Sequence, residues 1–187
     1  MRRADFDHLV AAAAEITGCD DLVVIGSQAI LGPLRDAPAG LLDSMEVDMY
    51  PRADPAKADE IDGVLGDGSP FHDMNGYYAH GVGPETAKAP AGWEERLVPI
   101  AILPRAGSAR HPVAWCLEPH DLVLSKCAAG RPRDFAYARE ALRAGIVDRA
   151  VLQARIDDLP VSDSARGLVR SMLEGIVAQL AREPGSR

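Results

Sequence analysis

Residues 21–51 read DLVVIGSQAILGPLRDAPAGLLDSMEVDMYP, and this stretch decides the fold. Its first apolar run, Leu22 to Ile25, is rich in β-branched residues and ends at Gly26, which predicts a buried strand followed by a tight turn. The residues from Ser27 to Leu31 then predict a short helix. Because the backbone N–H groups at a helix start attract anions, Ser27 and the turn before it are candidates for binding a phosphate.

The second apolar run carries two acidic residues, Glu46 and Asp48, which alternate with Met45, Val47 and Met49. Side chains at positions i and i+2 of a strand lie on one face, so both carboxylates point the same way. Two adjacent carboxylates repel each other unless a cation lies between them, and the pair therefore indicates a divalent metal site. A phosphate-binding turn beside a metal-binding strand indicates phosphoryl or nucleotidyl chemistry. Each feature alone has a simpler interpretation, since Gly-Ser turns are common and acidic pairs often face solvent.

The bulk properties describe an ordinary globular chain. Its 187 residues fit one domain with a helical extension and suffice to bury a core. The net charge of −8 argues against a general nucleic-acid binder, but it leaves room for an RNA substrate held by a local basic patch. No apolar run is long enough to span a membrane, and the first residues lack the apolar core of a signal peptide. We therefore expect a cytoplasmic protein without a membrane partner.

Periodicity in the rest of the chain predicts a mixed α/β (α+β) fold. Residues 1–117 are expected to form a core with a mixed sheet, and residues 118–187 a helical region packed on that core. Beyond the two strands above, the pattern predicts helices at 5–17 and 54–65, a hairpin of strands at 93–103 and 111–117, and helices at 118–129, 131–145, 147–159 and 162–182. The inner stripe expected for the last helix is Leu168, Met172, Ile176 and Leu180.

The segment from Ser69 to Val82 is the least regular part of the chain. It concentrates two histidines and two tyrosines in a sequence with only 5% aromatic residues. Such side chains can bind a base or a ribose by stacking and hydrogen bonding, and they can equally close a hairpin. His72 and His80 are not expected to be zinc ligands, because no second His or Cys pair has matching spacing.

The motif Gly26-Ser27 followed, after a spacer, by Glu46-Val47-Asp48-Met49 resembles that of the DNA polymerase β-like nucleotidyltransferase superfamily. Within it, the chain is most similar to the small bacterial branch related to abortive-infection and type IV toxin–antitoxin nucleotidyltransferases. The resemblance extends over nearly the whole chain through the segments FHDMNGYYAHGV, PAGWEERLVP and DLVLSKCAAGRPRDFAYAREALRAGIVD.

This resemblance implies a role for each motif. Glu46 and Asp48 would bind Mg²⁺ or Mn²⁺, while Gly26 and Ser27 would hold the β- and γ-phosphates of a nucleoside triphosphate. The helical region would complete the active site with three more residues. Among these, Lys126 would contact the triphosphate, Asp134 would bind metal or position the attacking hydroxyl, and Arg131 would assist with phosphate or substrate RNA.

Two departures from the family pattern are visible. Glu46 stands where aspartate is commoner, and the segment 96–103 lacks the third carboxylate that many relatives carry on a strand. The resemblance implies a metal-dependent nucleotidyltransferase that transfers a nucleoside monophosphate from a nucleoside triphosphate to an acceptor hydroxyl. It makes a tRNA 3′ end a candidate acceptor and a cognate antitoxin a candidate partner. The alternatives are a catalytically weakened member that binds nucleotide or a protein partner, and a structural domain whose acidic strand faces solvent.

Overall fold

The computed structural model describes residues 1–183 and confirms the mixed α/β fold. Seven α-helices lie in this part of the chain: α1 (Arg3–Thr17), α2 (Ala58–Leu65), α3 (Pro70–Asn75), α4 (Pro119–Ala129), α5 (Pro132–Arg143), α6 (Arg149–Arg155) and α7 (Asp163–Leu180). None of the helices between residues 1 and 183 combines the length and the apolar character needed to cross a membrane.

Five short strands form one mixed sheet: β1 (Asp21–Val24), β2 (Glu46–Pro51), β3 (Tyr78–Gly81), β4 (Val98–Ala101) and β5 (Val113–Cys116). Their order in the sheet is β3-β2-β1-β5-β4. The β1–β2 and β4–β5 pairs are antiparallel, whereas β1–β5 and β2–β3 are parallel. The acidic strand β2 therefore lies between β1, which leads into the Gly26 turn, and β3.

The chain divides into two compact units. The first comprises Met1–Ala87 and Glu94–Glu118 and contains the whole sheet together with α1, α2 and α3. An alanine-rich face of α1 is buried, and the helix ends at Gly18, whose φ of 67° is the left-handed conformation that glycine adopts without strain. Strand β3 lies so close to α2 that a Cβ at Gly81 would be 1.9 Å from the carbonyl oxygen of Ala58. Glycine at this position allows the strand to approach the helix.

Several local predictions need correction. Residues 78–81 form a strand that the sequence did not predict, because the run is short and half-buried and follows α3 directly. Trp93–Arg96 is a 3-10 turn, so the strand predicted over 93–103 is reduced to β4. The short helix Ser27–Leu31 is a 3-10 helix, and the helix predicted at 54–65 begins with the 3-10 turn Pro55–Lys57.

The second unit comprises Lys88–Trp93 and the residues from Pro119 onward. Helices α4, α5, α6 and α7 pack against one another here, around the buried side chains Leu122, Leu124, Ala138, Leu152 and Leu173. The predicted inner stripe of α7 is correct at Ile176, but at Leu168 and Met172 it is wrong by one residue. Leu168 is 73% exposed, whereas Val169, Leu173 and Ile176 are buried. The predicted residues are spaced four apart, whereas an α-helix has 3.6 residues per turn, and neighbouring apolar positions leave the phase of the stripe open.

Candidate active site

The acidic residues of β2 lie on a face of the sheet that continues onto β3. In the parallel β2–β3 pair, Glu46 is in register with Tyr78, and Asp48 with His80. Residues that are in register on neighbouring strands project to the same side, so these four side chains form a two-by-two group, here called the sheet tetrad. The residues that alternate with them, Val47, Met49 and Ala79, are fully buried on the opposite face.

Within the sheet tetrad, His80 lies between the two acids. Its Nδ1 atom is 3.1 Å from Oε1 of Glu46 and 3.1 Å from Oδ1 of Asp48. The Tyr78 hydroxyl donates a hydrogen bond of 3.1 Å to Oε2, the other carboxylate oxygen of Glu46. Tyr78 in turn packs against the ring of His72, with 4.7 Å between the ring centres. One oxygen of Glu46 is thus fixed by Tyr78, and the other points to His80.

The Gly26 turn contacts the acidic strand directly. A Cβ added to Gly26 would be 1.8 Å from Oδ2 of Asp48, so only glycine leaves room for this carboxylate. The φ of Gly26 is −72°, which any residue can adopt, and the missing side chain is therefore the reason for glycine here. The backbone N–H of Ile25 also donates a 3.0 Å hydrogen bond to the carbonyl oxygen of Asp48. The 3-10 helix that begins at Ser27 starts immediately beside the acidic pair.

Electrostatic interactions inside the sheet tetrad shift the pKa values of the two acids in opposite directions. Burial, together with the contact with Glu46, raises the pKa of Asp48 to about 6, against the opposing effect of His80. Burial also acts to raise the pKa of Glu46, but hydrogen bonds with Asp48, Tyr78 and His80 leave that pKa below its usual value. Although burial opposes it, the contact with both acids raises the pKa of His80. Ionising Asp48 beside Glu46 therefore costs free energy, which a bound cation would offset.

A second group of charged residues lies in the second unit, where α4 ends and α5 begins. It consists of Lys126, Arg131 and Asp134, here called the Asp134 cluster. The Lys126 ammonium donates to Oδ1 of Asp134 at 3.2 Å, and Nε of Arg131 donates to Oδ2 at 2.8 Å. The Asp134 carboxylate also accepts the backbone N–H of Arg131 at 3.3 Å, which caps the start of α5. Asp134 is fully buried, and each of its oxygens accepts a hydrogen bond from a cationic group.

The pKa shifts in the Asp134 cluster follow from this pairing. Burial lowers the pKa of Lys126, against the attraction of Asp134. Burial acts to raise the pKa of Asp134, but the hydrogen bond from Arg131 and the charge of Lys126 leave it below its usual value. The Lys126 ammonium also lies 4.6 Å from the ring centre of Tyr137, a cation–π contact. Asp134 is thus ionised and compensated by positive charge.

A protein-family model described as "Nucleotidyltransferase of unknown function (DUF6036)" matches residues 4–167 of the chain. The chain belongs to this family. Neither a curated protein nor a solved structure matches it. The match supports the nucleotidyltransferase part of the sequence resemblance, and its range includes both the sheet tetrad and the Asp134 cluster.

The predicted site residues are distributed over both units. Glu46 and Asp48 lie together in the first unit, and the Gly26-Ser27 turn is in contact with them. Lys126, Arg131 and Asp134 lie together in the second unit.

Sequence reasoning missed His80 and Tyr78 as neighbours of the acidic pair. The family pattern places a third carboxylate on the strand at 96–103, but β4 lies at the far edge of the sheet, next to β5. The strand beside Asp48 is β3, and the residue in register with Asp48 is His80. The i, i+2 spacing of Tyr78 and His80 was the available signal, since it matches the spacing of the two acids.

The donor atoms of the sheet tetrad fit a divalent cation. One ligand atom each from Glu46, Asp48 and His80 lies within 4.8 Å of the others. The two 3.1 Å separations around Nδ1 of His80 match the roughly 3 Å between adjacent ligands of an octahedral ion with bonds of about 2.1 Å. The second oxygen of Glu46 accepts a hydrogen bond from the Tyr78 hydroxyl, and the second oxygen of Asp48 packs against Gly26. Such outer contacts orient ligands toward a metal.

Proposed function

We propose that this protein is a metal-dependent nucleotidyltransferase that transfers a nucleoside monophosphate from a nucleoside triphosphate to an acceptor hydroxyl. The observation that carries the proposal is the contact between the Gly26 turn and the Asp48 carboxylate. It brings a turn suited to phosphates next to a pair of acids suited to a divalent ion, as transfer from a triphosphate requires.

In the proposed reaction, the acceptor oxygen forms a bond to the α-phosphorus, and the bond from this phosphorus to the bridging oxygen breaks. Pyrophosphate leaves with the electron pair, and the hydroxyl proton is released to solvent. A bound divalent cation would supply positive charge where the transferring group develops negative charge. Glu46 and Asp48 would hold this cation, with Tyr78 fixing the orientation of Glu46. The backbone of Gly26 and Ser27 would hold the β- and γ-phosphates in line for displacement.

The proposed roles of Lys126, Arg131 and Asp134 rest on the resemblance to toxin-related nucleotidyltransferases. Lys126 and Arg131 would bind phosphate groups of the triphosphate. The contacts of Asp134 favour one of its two expected roles over the other. Because both its oxygens already accept hydrogen bonds from Lys126 and Arg131, we propose that Asp134 positions these cations and does not bind metal itself.

For the acceptor, we propose an RNA 3′ end as the first substrate class to test. The resemblance to the toxin branch supports this choice, as does the chemistry, since a terminal ribose presents a free hydroxyl. The net charge of −8 means that RNA would have to be held by a local basic surface. An antitoxin partner follows from the same resemblance and can be tested once the acceptor is known.

The deciding experiment incubates the purified protein with each α-labelled nucleoside triphosphate, Mg²⁺ or Mn²⁺, and total RNA. We expect one triphosphate to label RNA and release pyrophosphate. Asp48→Asn should abolish labelling, whereas Asp73→Asn, which changes an exposed acid on α3, should leave it intact. Triphosphate binding by calorimetry without transfer to any acceptor would instead support a weakened, nucleotide-binding member. Absence of both binding and transfer would contradict the proposal.

A further inference from the structure

The third donor of the sheet tetrad is a nitrogen, and this affects which cation the site prefers. Mg²⁺ is a hard ion that binds oxygen ligands and keeps several waters. Imidazole nitrogen is instead a good ligand for first-row transition metals. Neither β2 nor β3 offers a third carboxylate on this face, because Tyr78 and His80 occupy the positions in register with Glu46 and Asp48. Two oxygens and one nitrogen therefore converge on one point.

The backbone around His80 fixes the position of its ring. Strand β3 is held on one side by its parallel pairing with β2. On the other, the absence of a side chain at Gly81 lets β3 approach the backbone of α2. Ala79, next to His80, is fully buried and holds the strand face in place. The ring thus extends from a fixed point, and its exposed fraction of 50% leaves the site open to an ion from solvent.

We propose that His80 is a metal ligand through Nδ1, and that the sheet tetrad therefore takes a first-row transition metal such as Mn²⁺ in preference to Mg²⁺. This inference rests on the proposed function, because it names the ion for the same site. It goes further by assigning a ligand that the acidic motif alone does not contain. Tyr78 acts as a positioning residue, since its hydroxyl occupies Oε2 of Glu46 and leaves Oε1 for the ion beside His80.

A simpler interpretation of the same geometry is that a protonated His80 neutralises two crowded acids. A proton on Nδ1 would have to be shared between two acceptors at equal distances of 3.1 Å. A metal ion would satisfy all three donors together. The two interpretations differ in whether the His80 nitrogen bonds to an added ion, which is directly measurable.

The test uses Mn²⁺ as a paramagnetic probe. We expect pulsed electron paramagnetic resonance of the full chain with one equivalent of Mn²⁺ to show modulation from a directly bound nitrogen. The modulation should disappear in His80→Asp and persist in His111→Gln, which changes an exposed histidine between β4 and β5. By calorimetry, wild-type protein should bind Mn²⁺ at least about tenfold more tightly than Mg²⁺. His80→Asp should reduce this ratio by about tenfold, because it restores an all-oxygen site.

The outcomes separate this inference from the proposed function. Mn²⁺ bound without nitrogen modulation in the wild type, or an unchanged Mn²⁺ to Mg²⁺ ratio in a folded His80→Asp variant, would overturn the role of His80 and leave the nucleotidyltransferase proposal standing. Nitrogen-coordinated Mn²⁺ without transfer to any acceptor would support the inference and contradict the proposed function. If neither ion binds, with or without triphosphate, both are overturned. The nitrogen modulation is measured on the wild-type protein, so this measurement tests the role of His80 even if His80→Asp fails to fold.

Discussion

The sheet tetrad and the Asp134 cluster surround their carboxylates with opposite kinds of neighbours. Asp48 is partly buried beside another acid, and burial together with that contact raises its pKa to about 6. Asp134 is buried more completely, yet a lysine and an arginine contact its two oxygens, and its pKa is lowered despite burial. The first arrangement costs folding free energy unless a cation is added, whereas the second is compensated within the protein.

This difference distinguishes an acidic site that needs an added cation from one whose charge is already compensated. Ionisable groups in electrostatically unfavourable surroundings are typical of functional sites, because a bound ligand supplies the compensating charge that the protein lacks. A carboxylate already paired with cations needs no added metal ion, and it fixes the positions of those cations instead. Single substitutions test this comparison. Removing the charge of Asp134 should lower the free energy of unfolding, whereas removing the charge of Asp48 should raise it.

The largest effect is expected for Asp134→Asn. Removing one partner of a buried ion pair leaves the Lys126 ammonium uncompensated and weakens the cap of α5, so the free energy of unfolding should fall by about 3 kcal/mol. Because the pKa of Asp134 is lowered in the folded protein, its stabilisation is present at neutral pH and is lost as the pH falls below about 4. Urea unfolding of the wild type and the variant at pH 7 and pH 3 measures both the loss of stability and its dependence on pH.

The matched control for Asp134→Asn is Glu140→Gln, on the same helix. Glu140 pairs with Arg143 three residues later, near the surface, and the loss of such a pair costs less than about 1 kcal/mol. If Asp134→Asn destabilises the protein no more than Glu140→Gln does, the Asp134 cluster is not the compensated ion pair described here.

The next largest effect is expected for Gly26→Ala, which probes the contact on which the proposed function depends. The added methyl group would overlap Oδ2 of Asp48, so the turn or the carboxylate must move. We expect a loss of about 1–3 kcal/mol of stability and a loss of metal binding measured by calorimetry. Gly63→Ala is the control, because its Cβ on the exposed face of α2 would meet nothing within 4 Å. It should be neutral or stabilising by up to about 1 kcal/mol.

A smaller effect is expected for Tyr78→Phe, which removes one hydroxyl from the sheet tetrad and keeps the ring. Losing an outer hydrogen bond to a metal ligand typically weakens metal affinity by about tenfold or more. We expect a loss near the lower end of this range by calorimetry, with an unchanged melting temperature. Tyr77→Phe provides the comparison, since the Tyr77 hydroxyl contacts Nδ1 of His8 instead. Equal metal affinities in the two variants would mean that Tyr78 does not orient Glu46.

The sequence predicted the strand of the acidic pair and the turn before it, because both depend on local patterns. Val47 and Met49 alternate with the acids and are buried as expected. The sequence could not predict β3, since four residues carry too little periodicity and the strand depends on pairing with β2 and on packing of Gly81 against α2. The register of that pair places His80 beside Asp48. A contact between residues 32 positions apart is a property of the fold, and no local pattern contains it.

The smallest effect, and the one of opposite sign, is expected for Asp48→Asn in the absence of metal. Asp48 has a folded-state pKa of about 6, above its ordinary value near 4, so ionising it costs stability as the pH rises between these values. Asparagine keeps the shape and removes the charge. The variant should therefore match the wild type below pH 4 and exceed it by about 1 kcal/mol at pH 7. The effect is modest because the lowered pKa of Glu46 offsets part of the cost. Urea unfolding with a chelator at several pH values measures the difference. A variant less stable than the wild type at pH 7 would mean that Asp48, like Asp134, is compensated within the fold.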